Sequence, residues 1–146
     1  MSGVVLFLSG PNLNLLGERS PEIYGRETLA DHERRFTAVV ATAGYSVRSV
    51  QSNSEATLIE EIHEARSSAV AIVFNPGALT HSSWALRDAL ETFNGPKIEV
   101  HLSNPAAREP FRHLSTVAGA ASGSIVGFGA LGYELAAHAV LARLKV

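Results

Sequence analysis

Val4-Val-Leu-Phe-Leu8, followed at once by Ser9-Gly-Pro-Asn-Leu-Asn14, is the stretch on which the fold turns. A continuous apolar run leaves no polar face for solvent, which suits a central parallel strand covered on both sides. The Gly-Pro pair behind it ends the strand in a turn. Val70-Ala-Ile-Val-Phe74 repeats the pattern and runs into Asn75-Pro-Gly77, and less uniform β-rich runs stand at Tyr45 to Val50, Ile98 to Leu102 and Ser124 to Phe128. Between them apolar residues recur at three and four positions, the spacing of helix faces. The expected helices are 28 to 43 (Leu29, Phe36, Val39, Val40, Ala43), 54 to 66 (Leu58, Ile59, Ile62), 81 to 93 (Leu86, Ala89, Leu90, Phe93) and 130 to 144 (Leu131, Leu135, Ala139, Ala142). Pro105 and Pro110 leave room only for a short helix between the fourth and fifth strands.

Strand and helix thus alternate five times. A closed barrel of such units takes roughly 250 residues, and this chain has 146. The expectation is an open α/β sheet, doubly wound in the flavodoxin-like manner, with five parallel strands and helices on both faces. No linker or low-complexity tract interrupts it, so residues 1–146 read as a single domain. A formal net charge of -2 without long runs of one sign gives no footprint for nucleic acid or an anionic membrane. No segment approaches the roughly 20 apolar residues of a membrane span, and Met1-Ser-Gly3 lacks the basic start of a signal peptide. With no cysteine in the chain, disulfides and thiolate chemistry drop out, and a cytoplasmic location is expected.

Ligands of open parallel sheets bind beyond the carboxyl ends of the strands, and here those ends are polar. Strand one runs into Asn12 and Asn14, strand two into Gln51-Ser-Asn53, strand three into Asn75, and strand four carries Glu99 and His101 before Ser103-Asn104. Singly, such residues have ordinary explanations. Asn53, Ser54 and Thr80 read as helix caps, and Asn12 and Asn75 suit turns. Glu99 and His101, two apart on a strand, share one face. That pair suits a general acid steered by a carboxylate, or equally a half-buried histidine satisfied by one. The polar, proline-bent loop from Glu18 to Gly25 offers Arg19 and Tyr24 and could close over the strand ends. Phenols ordinarily titrate near pH 10, so a tyrosine base working near neutrality needs about 4 kcal/mol of preference for phenolate. An ever-charged guanidinium is a fitting source; a surface tyrosine beside a solvated arginine is the plainer alternative.

Other signals lead nowhere. Gly127 to Gly132 matches a dinucleotide fingerprint, but no further strand follows to supply a ribose ligand, so packing of the last helix on strand five is expected instead. The six histidines include no close metal-binding pair, so no metal is expected. Lys97 and Lys145 lie away from the polar edge, which leaves a Schiff base without a placed amine.

Four segments together resemble the type II 3-dehydroquinate dehydratases. They are Gly10-Pro-Asn-Leu-Asn-Leu-Leu-Gly17 continuing through Arg19 to Tyr24-Gly25; Gln51-Ser-Asn-Ser-Glu55; Asn75-Pro-Gly-Ala-Leu-Thr-His81 with Arg87-Asp88; and Glu99-Val-His-Leu-Ser-Asn104 with Arg108-Glu-Pro-Phe-Arg112. The resemblance implies a lyase that removes water from 3-dehydroquinate through an enolate, with no cofactor or metal. It implies Tyr24 as proton acceptor, Arg19 as stabiliser of developing charge, Asn12 as partner of the enolate through a water, and His101, oriented by Glu99, as proton donor. It maps substrate binding onto Asn75, His81, Leu102, Ser103 and Arg112. Asp88 would serve a neighbouring subunit across a trimer interface, with trimers assembled into a dodecamer. Ser20, Ala56 and Leu79 depart from the pattern, where acidic, glycine and aromatic residues are common, but none takes part in the chemistry. A cofactor-free lyase acting on a related polyhydroxy acid and a non-catalytic flavodoxin-like binding module remain the competing readings.

Overall fold

A computed structural model describes residues 2–145; Met1 and Val146, the two ends of the expected 1–146 domain, lie outside the described residues. The five expected strands are β1 (Gly3–Ser9), β2 (Tyr45–Gln51), β3 (Ala71–Asn75), β4 (Lys97–His101) and β5 (Gly123–Val126). All pair in parallel, in the order β2-β1-β3-β4-β5. This is the flavodoxin-like order, and its direction of winding switches between β1 and β3.

The helices are α1 (Pro21–Tyr24), α2 (Leu29–Ala41), α3 (Glu55–Ser68), α4 (Trp84–Glu91) and α5 (Leu131–Arg143). Alternation along the central strands divides the core in two. Val5 and Phe7 of β1 with Ala71 and Val73 of β3 meet Phe36 and Val40 of α2 and Tyr133, Ala136, Ala137 and Val140 of α5. Leu6, Leu8, Ile72 and Phe74 point the other way, onto Leu58 and Ile62 of α3 and Leu86 and Leu90 of α4. Both faces of the sheet are therefore covered, as the continuous apolar runs require.

Local chemistry sets the helix starts. Thr28 and Asp31 form a reciprocal capping box at α2, and Ser54 caps α3 through the Thr57 amide. The expected helix at 81 to 93 begins only at Trp84, because Ser83 accepts from the Leu86 amide, and Gly77–His81 is a separate 3-10 turn. Neither Asn53 nor Thr80 acts as a cap. Pro105 and Pro110 each open a 3-10 turn of their own, so two short turns replace the one short helix expected there. The expected face of the last helix is also corrected. Leu131 is 49% and Leu135 36% exposed, whereas Gly132, Tyr133, Ala136, Ala137 and Val140 are buried. Small residues let α5 lie close on the sheet: a Cβ at Gly132 would stand 3.5 Å from Val100 of β4. The glycine-rich segment thus packs the helix on β4, one strand further in than expected.

Candidate active site

The ends of β1 and β3 meet at the switch point. Ser9 is the ladder neighbour of Asn75, and the Gly10 N–H donates to the Asn75 carbonyl at 2.8 Å. Two glycines permit the crossing that follows. A Cβ at Gly10 would stand 2.4 Å from the Pro76 carbonyl oxygen, and one at Gly77, where φ is +64°, 2.8 Å from that of Pro11. The end of β2 ties the first loop down, since Asn53 Oδ1 accepts from the Asn12 amide at 3.0 Å and Gln51 Nε2 donates to the Gly10 carbonyl at 3.1 Å. Asn53 is a loop clamp, and it holds Asn12 in the left-handed conformation (φ 71°) that asparagine tolerates.

Segment 18–25 is not wholly a loop. Pro21 starts a single helical turn that ends at Gly25, where φ is +81°. The turn folds Tyr24 back over Arg19: Nη2 donates to the phenol oxygen at 3.2 Å, and the guanidinium carbon lies 4.3 Å from the ring centroid. A second guanidinium, that of Arg108, approaches the same ring at 5.2 Å and donates to Ser103 Oγ at 3.1 Å.

On β4, Glu99 and His101 do share a face, and both are buried. His101 Nε2 donates to Glu99 Oε2 at 2.7 Å. A carboxylate can only accept, so Nε2 carries the proton and Nδ1 is left free for chemistry. Ser124 donates to Glu99 Oε1 at 2.8 Å, and Ser115 reaches Oε2 at 3.5 Å. Burial pulls the Glu99 carboxyl upward, but the hydrogen bond and charge of His101, with the two hydroxyls, outweigh it and hold the group below the usual carboxylate range. Thr80 Oγ1 stands 3.4 Å from His101 Nε2. Its own carbonyl accepts from the Thr116 amide and hydroxyl at 2.7 and 3.1 Å, which fixes the turn beside the histidine. His81 Nδ1 donates to the Leu114 carbonyl at 2.7 Å, turning Nε2 outward.

Of the residues singled out from sequence, Asn12, Arg19, Tyr24, Asn75, His81, His101, Leu102, Ser103 and Arg112 all line one cavity of about 180 Å³. Glu99 stands behind His101. Asp88 does not reach this cavity; it is exposed on α4. Lys97 sits at the opposite end of β4, where its ammonium donates to the Leu90 and Phe93 carbonyls. Among the described residues, no three His, Cys, Asp or Glu side chains are grouped to hold a metal ion, and no helix is long and apolar enough to cross a membrane. Sequence reasoning passed over Thr80, whose position before a helix reads as a cap, and gave no role to Arg108, whose approach to Tyr24 joins two distant segments.

The cavity thus brings three guanidinium groups, a phenol and a carboxylate-anchored imidazole to the switch point of a doubly wound sheet, the equipment of an acid–base enzyme for a small anionic ligand. Comparison with known proteins makes the class specific. The model of the class II dehydroquinase family matches residues 3–141, and the chain belongs to that family. It is 56% identical over 140 residues to a 3-dehydroquinate dehydratase of Cereibacter sphaeroides, covering 96% of this chain and 95% of the relative. It is 53% identical over 142 residues to one of Xanthomonas oryzae, covering 97% and 96%. Among solved structures, a type II dehydroquinase from Propionibacterium acnes superposes with a TM-score of 0.91 at 42% identity, covering 97% of this chain and 98% of the other.

Proposed function

We propose that the chain dehydrates 3-dehydroquinate to 3-dehydroshikimate through an enolate, with Tyr24 as base and His101 as acid. The observation that carries this reading is the meeting, in one cavity, of a phenol under a guanidinium and an imidazole bound to a buried carboxylate. Tyr24, as phenolate beside Arg19, takes a proton from the carbon next to the ketone. The electron pair moves onto the ketone oxygen, where Asn12, through a water, stabilises the enolate. The enolate then expels the hydroxyl one carbon further on, and His101 protonates it through Nδ1 as it leaves. One proton is taken, one is given, and the products are a conjugated enone and water. No step calls for a metal or cofactor.

Asn75 and the backbone amides of Leu102 and Ser103 are assigned to the substrate carboxylate, and His81 and Arg112 to its ring hydroxyls. Asp88, exposed beside Trp84 (58% exposed), is assigned to a neighbouring subunit's site in a trimer, with trimers forming a dodecamer. The chain acts as one catalytic domain, in the cytoplasm, in keeping with a sequence free of cysteine, and serves aromatic biosynthesis through shikimate or the breakdown of quinate. Adding 3-dehydroquinate and following the ultraviolet absorbance of the conjugated product tests the activity; no change rejects it. Inactivation by borohydride in the presence of substrate would reject the amine-free course. Light scattering on the eluted protein reads the subunit count.

A further inference from the structure

The buried Glu99 carboxylate is held at both oxygens. Oε2 accepts from His101 Nε2 at 2.7 Å, while Ser115, 3.5 Å from the same oxygen, stands beyond a close O–H···O bond. Among the described residues, Oε1 accepts from the Ser124 hydroxyl alone, at 2.8 Å. That contact follows from register. Glu99 and Ser124 are ladder partners in the β4–β5 pair, so their side chains stand together on one face. The register is pinned at both ends: the Ser122 amide donates to the Lys97 carbonyl at 2.7 Å, and the Gly127 amide to that of His101 at 3.2 Å. β5 is an edge strand, and Ser124 is exposed on it. An exposed strand position suits a β-branched residue better than serine, so the hydroxyl calls for a reason beyond the strand. A second cavity, of about 200 Å³, lies on this side of the acid pair and is bordered by Glu99, His101, Ser115 and Ser124. His101 thus borders both cavities and Glu99 only the second.

The ion pair of Glu99 with His101 lasts only while the ring carries its second proton. Once Nδ1 has passed that proton to the leaving hydroxyl, the ring is neutral, and among the described residues no other cation pairs with the carboxylate. A buried charge in that state is costly. What remains to meet it is the Nε2–H on one oxygen and the Ser124 hydroxyl on the other. Donation to Oε1 therefore stabilises the state after proton transfer more than the state before it, where the imidazolium already answers the charge. It also fixes the plane of the carboxylate, which keeps Oε2 on Nε2 and leaves Nδ1 free. We infer that Ser124 is a positioning residue for the reaction: its hydroxyl holds the buried Glu99 carboxylate on His101 and supports its charge as His101 gives up a proton. This rests on the reading of His101 as the acid.

The matched variants Ser124→Val and Ser124→Thr test it, since their side chains share one shape and differ in the hydroxyl. Ser124→Val is expected to lower kcat about 3- to 10-fold, with KM within about twofold. It should also move the alkaline limb of the kcat profile up by about 0.5 to 1 pH unit, because the pair holds its proton more tightly when the carboxylate left behind is less supported. Ser124→Thr is expected to keep kcat within about twofold and the limb in place. The other titratable and charged groups around the ring are Tyr24, Arg19, Arg108, Arg112 and His81 on the ligand side and His113 behind. All are common to both variants, so the difference reads the hydroxyl alone. Equal kcat in the two variants, or a lower kcat in Ser124→Val with an unmoved limb, overturns the inference. His101→Ala separates this from the reading beneath it. If that variant keeps native turnover, His101 is not the acid and Ser124 has nothing to serve; if it loses turnover while Ser124→Val and Ser124→Thr behave alike, the role of Ser124 alone falls.

Discussion

Replacing Glu99 by glutamine keeps the volume behind His101 and removes its charge. In the native site, His101 Nε2 donates at 2.7 Å to a carboxylate 2% exposed, a charge-assisted bond of a kind worth about 1.5–3 kcal/mol. Ser124, whose hydroxyl donates to the other carboxylate oxygen at 2.8 Å, serves a glutamine either as donor to its carbonyl or as acceptor of its NH2. With the carbonyl on the ring, the bond from Nε2 survives without its charge; with the NH2 on the ring, Nε2 loses its acceptor and the neutral ring carries its proton on Nδ1. Loss of the charge-assisted bond costs about 10- to 100-fold in kcat, and the second orientation carries the loss toward the roughly 10⁴-fold known for the equivalent carboxylate-to-amide change in serine protease triads. The expected outcome is a fall in kcat of about 10-fold or more, with KM within a few-fold, followed by product absorbance. Stability supplies a second readout. The Glu99 carboxyl is held below its unfolded value in the native state, so its contribution is present above about pH 4.5 and lost as the pH falls through the native value; the variant should unfold less steeply with acid. A Glu99→Gln enzyme keeping more than about a third of native kcat would refute the role given to the pair.

Tyr24→Phe removes the proposed base and should lower kcat by about 10²- to 10⁴-fold while leaving Tm unchanged, since the residue is only partly buried; retained turnover would remove Tyr24 from the chemistry. His32 is buried and held by that burial below its ordinary titration range, so the unfolded chain takes up a proton that the native state refuses. Stability is therefore complete above about pH 6.5 and falls by up to about 1.4 kcal/mol per pH unit below it; His32→Leu should flatten that slope in urea titrations between pH 6.5 and 5, and an unaltered slope would contradict it. Gly10→Ala drives a methyl group into the Pro76 carbonyl and should cost about 1–3 kcal/mol, with a parallel loss of activity as the loops bearing Asn12 and Asn75 are pushed apart; an unchanged urea midpoint would show that the crossing has slack.

The sheet was legible because two uninterrupted apolar runs can be satisfied only between two layers of helices, and because the polar residues follow the strands one by one. Period-two alternation likewise places Glu99 and His101 on one face of β4. Three features lay outside the reach of pattern. The inward face of α5 was misjudged because the helix buries glycine and alanine and leaves leucines outside, a choice set by how near the helix lies to β4. Thr80 and Asn53 resemble caps locally and become clamps only through partners, His101 and Asn12, that the sheet brings beside them. Arg108 meets Tyr24 across 84 positions of chain, a contact no local spacing encodes.

The two halves of the proposed chemistry are held in different ways, and this has consequences for which substitutions matter. His101 stands on a strand, with Glu99, Thr80, Ser115 and Ser124 around the pair, so its place is set by the sheet itself. Tyr24 stands on a one-turn helix bounded by Gly17, Ser20 and Gly25, all with positive φ; it meets two guanidinium groups of the site and packs against the edge of the apolar core. A helix of that length has little stability of its own, so the phenol's position depends on how its segment is fastened. The fastening lies outside the cavity: Arg35 of α2 pairs with Glu27, just beyond the segment, and donates to Glu134 of α5 at 3.0 Å. The segment that carries the proposed base is therefore fastened in part from the α2–α5 side of the molecule, whereas the proposed acid is fixed by the sheet.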